Sequence, residues 1–104
     1  MPEKLTRTSF EPHLNTTFRL VHDGTEPFDL ELIEVVDKTP TGFPGEQFSL
    51  LFKGPSDRTF LQQICPLEHP EMGPLSLFLV PVDQRKDGSY RYEAFFNHPV
   101  LDDE

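Results

Sequence analysis

The sequence predicts an all-β fold: a small six-stranded antiparallel barrel or a two-layer sandwich, with at most one short helical turn near the N-terminus. Three observations carry this. No stretch keeps apolar residues at the i, i+3, i+4, i+7 spacing over a helix of ordinary length. Eleven prolines recur every few residues, and inside a helix each would remove a hydrogen bond and clash with the preceding turn. Six segments instead alternate apolar with polar residues between Asp-Gly, Gly-Pro and Pro-Gly breakers.

The helical turn is expected over Ser9-Phe10-Glu11-Pro12-His13-Leu14, with Ser9 as its N-cap and Phe10 and Leu14 on one side. The first strand is read over Thr16 to His22, where Phe18, Leu20 and His22 alternate with Thr17, Arg19 and Val21; an Asp23-Gly24 turn follows. The second runs from Phe28 to Asp37. Phe28, Leu30 and Leu32 share one face, and the apolar parity then flips to Ile33 and Val35. A shift of one residue is what a β-bulge produces, so a bulge or sharp bend is expected near Leu32-Ile33.

Asp37 to Gly45 reads as a loop in which Phe43 either plugs a barrel end or makes an exposed contact. Glu46 to Lys53 is the third strand, with Phe48, Leu50 and Phe52 inward. Phe60 to His69 is the weakest strand signal, because Pro66 lacks a donor and belongs at an edge or a break. Leu75 to Asp83 is apolar on both faces and reads as a central strand paired along both edges. The last strand, Tyr90 to Asn97, sets Tyr90, Tyr92, Ala94 and Phe96 against Arg91, Glu93, Phe95 and Asn97.

At 104 residues the chain makes one domain, expected over 8–98 with flexible ends at 1–7 and 99–104. Ten of its twelve aromatic residues are Phe, which carries no polar handle and reads as core filling. Eighteen acidic residues against nine basic ones give a net charge of −9. That field repels nucleic acid and anionic membranes, and the densest cationic stretch, Arg85-Lys86, stands beside Asp83 and Asp87. No apolar run near Met1 resembles a signal segment, and Leu75 to Val82 is too short to span a bilayer. Cytoplasmic synthesis without membrane insertion is the default expectation, with delivery by a route other than Sec left open. A protein partner is expected, of unknown identity.

No constellation points to catalysis, a cofactor or a metal. His13, His22, His69 and His98 show no ligand spacing, and Cys65, the single cysteine, forms no pair and reads as a small buried hydrophobe. His69 before Pro70 reads as a turn anchor bonded to backbone. Asp29 and Glu31 fall on a solvent face. Glu93 and Asn97 read either as a polar pair lining a cleft or, with Arg91, as a cross-strand ion pair plus a strand-closing amide. Tyr90, Tyr92, Phe43, Arg91 and Glu93 form the candidate partner surface, because aromatic residues with a polar tip are enriched at interfaces.

Several blocks also carry a resemblance: Phe18-Arg19-Leu20, Glu46 to Gly54, Leu67-Glu68-His69-Pro70-Glu71-Met72-Gly73, Leu77-Phe78-Leu79-Val80-Pro81-Val82 and Tyr92-Glu93-Ala94-Phe95-Phe96-Asn97. In this order they resemble an uncharacterised bacterial family of all-β proteins of about this length, a domain of unknown function. The resemblance covers Phe10 to Asn97. Where relatives tend to place an aromatic residue before the L-x-H-P block, this chain has Ile64-Cys65-Pro66. Family members often sit beside proteins with phage-tail-collar domains, which implies an accessory role in a tail-like or fibre-forming system.

Three functions are thus carried forward: a non-enzymatic protein-binding or assembly module, a small-ligand-binding β-barrel, and a minimal hydrolase or metal-dependent enzyme. The second needs a closed apolar cavity. The third needs His69, Glu93 or Cys65 to converge in one cleft.

Overall fold

The computed structural model describes residues 5–21 and 28–99. Six strands follow a short helical segment: β1 (Thr17–Leu20), β2 (Phe28–Asp37), β3 (Gly45–Gly54), β4 (Gln63–His69), β5 (Gly73–Gln84) and β6 (Tyr90–Pro99). All pairings are antiparallel, and the sheet closes on itself in the order β1-β2-β3-β6-β5-β4, a barrel rather than a sandwich. The expected His22 end of the first strand and the Asp23-Gly24 turn lie outside the described residues.

Alternation builds the interior. Phe18 and Leu20, Phe28, Leu30 and Leu32, Phe48, Leu50 and Phe52, Cys65 and Leu67, Leu77 and Leu79, and Tyr92 and Ala94 all point inward and are buried. A ring of six strands leaves an interior that side chains fill completely. The parity flip in β2 is where the sequence placed it: the register against β3 slips between Leu32 and Glu34. A second slip falls between Pro81 and Asp83, where β5 pairs with β6.

Ring order explains how the ends are closed. β3 and β4 stand diametrically opposite, so the chain joining them crosses one mouth of the ring. That crossing carries Phe60, which stacks on Tyr92 (centroids 4.4 Å, interplanar 7°) and meets Phe28 edge-on at 5.4 Å. Phe60 is therefore a plug, and β4 begins only at Gln63, three residues later than the sequence suggests. The neighbouring Gly54 is obligatory for want of room: a Cβ there would lie 2.9 Å from the Tyr92 ring and 3.1 Å from Leu30.

The other mouth is closed by the N-terminal segment, α1 (Arg7–Phe10) followed by a 3-10 turn (Glu11–His13). Phe10, wholly buried, packs on Phe96, Phe48 and Phe18 with centroids 5.6, 6.3 and 6.5 Å away. The cap is Thr6 rather than Ser9. Ser9 sits at the third helical position, where its Oγ accepts the Thr6 N–H at 3.0 Å. Packing also reaches earlier than residue 8, since Leu5 lies against the core and its carbonyl is 2.7 Å from His98 Nε2.

Pro66 is accommodated inside β4, opposite Ser76 of β5. Its carbonyl faces β1, accepting the Val21 N–H at 3.0 Å, so its missing donor falls on the same side. There the β1–β4 ladder is only two residue pairs long, Arg19↔Glu68 and Leu20↔Leu67. A proline costs least where the ladder is already ending.

Candidate interaction surface

The outside of the ring is not uniform. On β1 and β2 it is polar, with Thr17 and Arg19 beside Asp29 and Glu31, and Arg19 Nε 3.2 Å from Asp29 Oδ1. That is the usual solvent face of an antiparallel sheet. On β4, β5 and β6 the outer positions are mixed, and several are apolar. Ile64 pairs with Phe78, while the β5–β6 ladder, which runs from Val80↔Glu93 to Gln84↔Tyr90, ends two residues short of Phe78 and Phe95. Ile64, Phe78 and Phe95 are 67%, 51% and 56% exposed. The row continues through Ser49, which Phe95 faces across β3 and which is itself buried, to Val36 on β2. Scattered exposed apolar residues are ordinary, whereas adjacent ones on neighbouring strands mark an interaction site.

Acidic residues interrupt this face. The next row reads Glu34, Leu51, Glu93 and Val80 across β2, β3, β6 and β5. Among the described residues Glu93 has no hydrogen-bond or ion-pair partner. The adjacent cation, Arg91, is engaged across the strand pair by Asp83 (Nε to Oδ1 2.8 Å). That bond raises the guanidinium above its ordinary value and holds the Asp83 carboxyl below its own. The expected cross-strand ion pair therefore exists, but it is Arg91–Asp83, and it leaves Glu93 out. Asn97 is bonded to Gln47 on β3 at 3.1 Å.

Beyond Val82 an open cleft of about 480 Å³ adjoins the face, lined by Phe60, Leu61, Pro81, Val82 and Tyr90 among others. Leu61 and Val82 are exposed at its edge. It lies on the surface, and the interior beneath it is filled by Tyr92 and Phe60.

The five residues expected to form a partner surface are not brought together. Arg91 and Glu93 lie on the outer face, and Tyr90 lines the cleft. Tyr92 is withdrawn from any contact surface, because its parity with Ala94 turns it inward: it is fully buried, its hydroxyl donating to Thr59 Oγ1 at 3.0 Å. Phe43 sits in the β2–β3 loop, half-buried and bonded through its N–H to Pro40 O. Nine residues of β3 separate that loop from the Tyr90 end, roughly 30 Å at the usual rise.

The residues weighed for chemistry do not converge. Cys65 and His69 are inward on β4, whereas Glu93 is outward on β6, so the sheet itself stands between them. His69 anchors its turn as read: its Nδ1 accepts the N–H groups of Glu71 (3.0 Å) and Met72 (3.2 Å). No group of three or more metal-ligating side chains occurs among the described residues, nor is any described helix long and apolar enough to cross a membrane.

Burial pushes the Cys65 thiol up to about 11. A thiol so buried and so little ionised at pH 8 is expected to react with a disulfide reagent at least about a hundredfold more slowly than in guanidinium-unfolded chain. Rapid labelling of the native protein would contradict the packing described.

Comparison with curated proteins finds no match, and neither does comparison with solved structures. A family profile does match, over residues 5–96, which takes in the helical segment and nearly all of the strands described above. The chain belongs to that family, the domain of unknown function DUF6916.

Proposed function

We propose that this domain is a non-enzymatic protein-binding module that joins an assembly through the outer face of β4, β5 and β6. One observation supports the reading: Ile64, Phe78 and Phe95 are each more than half exposed on the outer sides of β4, β5 and β6, with Ile64 directly paired to Phe78. Covering such side chains stabilises a complex by about 1.5–3 kcal/mol for each that becomes fully buried. The cleft beside Val82 and Leu61 extends the same surface and suits a protruding side chain of the partner. An accessory place in a tail-like or fibre-forming system, implied by the resemblance in the sequence, agrees with a small rigid body bearing one adhesive side. The small-ligand reading keeps only this open cleft in its support, and the enzymatic reading keeps no convergent residues.

The test is affinity capture of the tagged full chain from its native host, compared with the double variant Phe78→Ser/Phe95→Ser and with Phe43→Ser. Both phenylalanines point away from the core, so the double variant is expected to keep its thermal midpoint. The outcome expected is one stoichiometric partner, its affinity reduced about a hundredfold or more by the double variant and unchanged by Phe43→Ser. A partner retained equally by all three proteins, or none recovered by the unaltered chain, removes the proposed surface.

A further inference from the structure

The face that binds is also specific about charge. We infer that its occupant is a protein segment presenting an arginine or lysine between apolar side chains, with the cation seated on Glu93. This rests on the outer face of β4, β5 and β6 being the binding surface.

Glu93 is half-buried, with Leu51 on one side across β3, Val80 on the other across β5, and Phe95 next along its own strand on the same face. An acidic side chain in apolar surroundings loses hydration when that surface is covered, and the loss is severe unless a counter-charge arrives with the partner. The chain does not supply one. Arg91 is held by Asp83, and Lys53, one step further along β3, stands 3.9 Å from Asp87. Glu34 lies in the same row beyond Leu51 and adds a second acidic residue, one that already feels the charge of Arg91 and so leaves Glu93 as the acid without a counter-charge. Lys38, the remaining cation of β2 and its loop, sits past the far end of the face, its N–H bonded to Gln47 O. A covering surface must therefore combine apolar contact with positive charge. A second copy of this chain fits poorly: two bodies of net charge −9 repel, and an isologous contact through this face would bring Glu34 and Glu93 toward their own kind.

The experiment uses the ¹⁵N-labelled full chain and two capped pentapeptides, one alternating valine with arginine and the other valine with glutamate. Amide shifts are followed at low salt, about 20 mM, and again at about 0.5 M, where exposed charges are screened within a few ångströms. The inference expects saturable shifts centred on Val80, Glu93 and Phe95 with the arginine peptide, at least about fivefold weaker binding of the glutamate peptide, and a comparable loss in Glu93→Gln. Because Glu93 makes no hydrogen bond among the described residues, Glu93→Gln is expected to stay folded, which its own spectrum verifies. Equal binding of the two peptides, or of neither, overturns the inference. So do shifts spread over Asp57, Asp83 and Asp87 that ignore Glu93→Gln, which would mean general acidity. Concentration-dependent shifts of the same amides without any peptide overturn it in favour of a second copy. Capture that is lost in Phe78→Ser/Phe95→Ser but kept in Glu93→Gln would sink the cationic occupant and leave the binding surface standing.

Discussion

Replacing Tyr92 with alanine is expected to lower the unfolding free energy by about 3–5 kcal/mol, the range for removing a large aromatic side chain from a packed interior. Tyr92 is fully buried within the core cluster. Its ring is stacked on Phe60 at 4.4 Å and meets Phe28 at 6.5 Å, while Gly54 gives up a side chain to make room for it. Its hydroxyl donates to Thr59. Losing the ring therefore opens a cavity and frees the crossing segment that closes this mouth. Tyr92→Phe separates the two contributions: it keeps the stack and removes the hydroxyl's interactions with Thr59 and with the Phe60 backbone, at a cost of about 1–2 kcal/mol. Urea unfolding followed by far-ultraviolet circular dichroism reads both values. A loss below about 1 kcal/mol for the alanine variant would show that the Phe60 plug holds without Tyr92.

The second large effect is at His69. His69→Ala is expected to cost about 2–4 kcal/mol, from lost ring packing and two orphaned turn amides. The ring is buried against Phe18 (centroids 4.4 Å) and His13 (4.6 Å). Its Nδ1 accepts from Glu71 and Met72, so the proton is assigned to Nε2, 2.9 Å from Thr16 Oγ1; that hydroxyl in turn donates to His13 O. His69→Asn is expected to recover part of the loss, because an asparagine carbonyl accepts an N–H two residues on. Burial lowers the His69 pKa, the neighbouring His13 lowers it further, and Glu71 opposes both. With the folded value below the unfolded one of about 6.5, the unfolded chain takes the proton first. The stability that neutral His69 contributes is thus complete above pH 6.5 or so and is lost as pH falls below it. Protonating Nδ1 would also set a proton against two N–H donors. Thermal midpoints between about pH 8 and 5 should fall more steeply for the unaltered chain than for His69→Asn, and parallel slopes would refute the assignment.

The inward residues of the ring were readable because strand periodicity is two and each apolar set is long enough to show it. Phe48, Leu50 and Phe52, or Leu77 and Leu79, need nothing else. The bulge at Leu32 was readable for the same reason, since a parity flip has no other cheap cause. Tyr92 shows where residue character misleads. Its polar tip suggested a contact surface, although its parity with Ala94 already placed it inside. The exposed apolar residues of β4, β5 and β6 were not legible for a subtler reason. Apolar residues on both sides of β5 suggest a strand paired along both edges, whereas its pairing changes partner midway, Gly73 to Leu79 with β4 and Val80 to Gln84 with β6. Local sequence does not say whether its second side is covered by another layer. Only closure of the ring decides that: a single closed sheet has one interior, so Phe78 must face out. Phe60 was misplaced because its role comes from the crossing between diametrically opposite strands, a property of topology and not of neighbouring residues.

The contact between Leu5 and His98 has a consequence for how the domain is strung together. Leu5 and His98 meet beside the same mouth, while the Arg85–Ser89 turn stands at the opposite one, tied by the Arg85 N–H to Ser89 O bond at 2.7 Å. A short link from the end of β6 to Leu5, with the backbone opened in that turn, would preserve the described strand pairings under a new order of synthesis. The same nearness would let the domain be spliced into a host loop as a compact outgrowth, entered and left at one point, with the exposed side of β4, β5 and β6 free to turn outward.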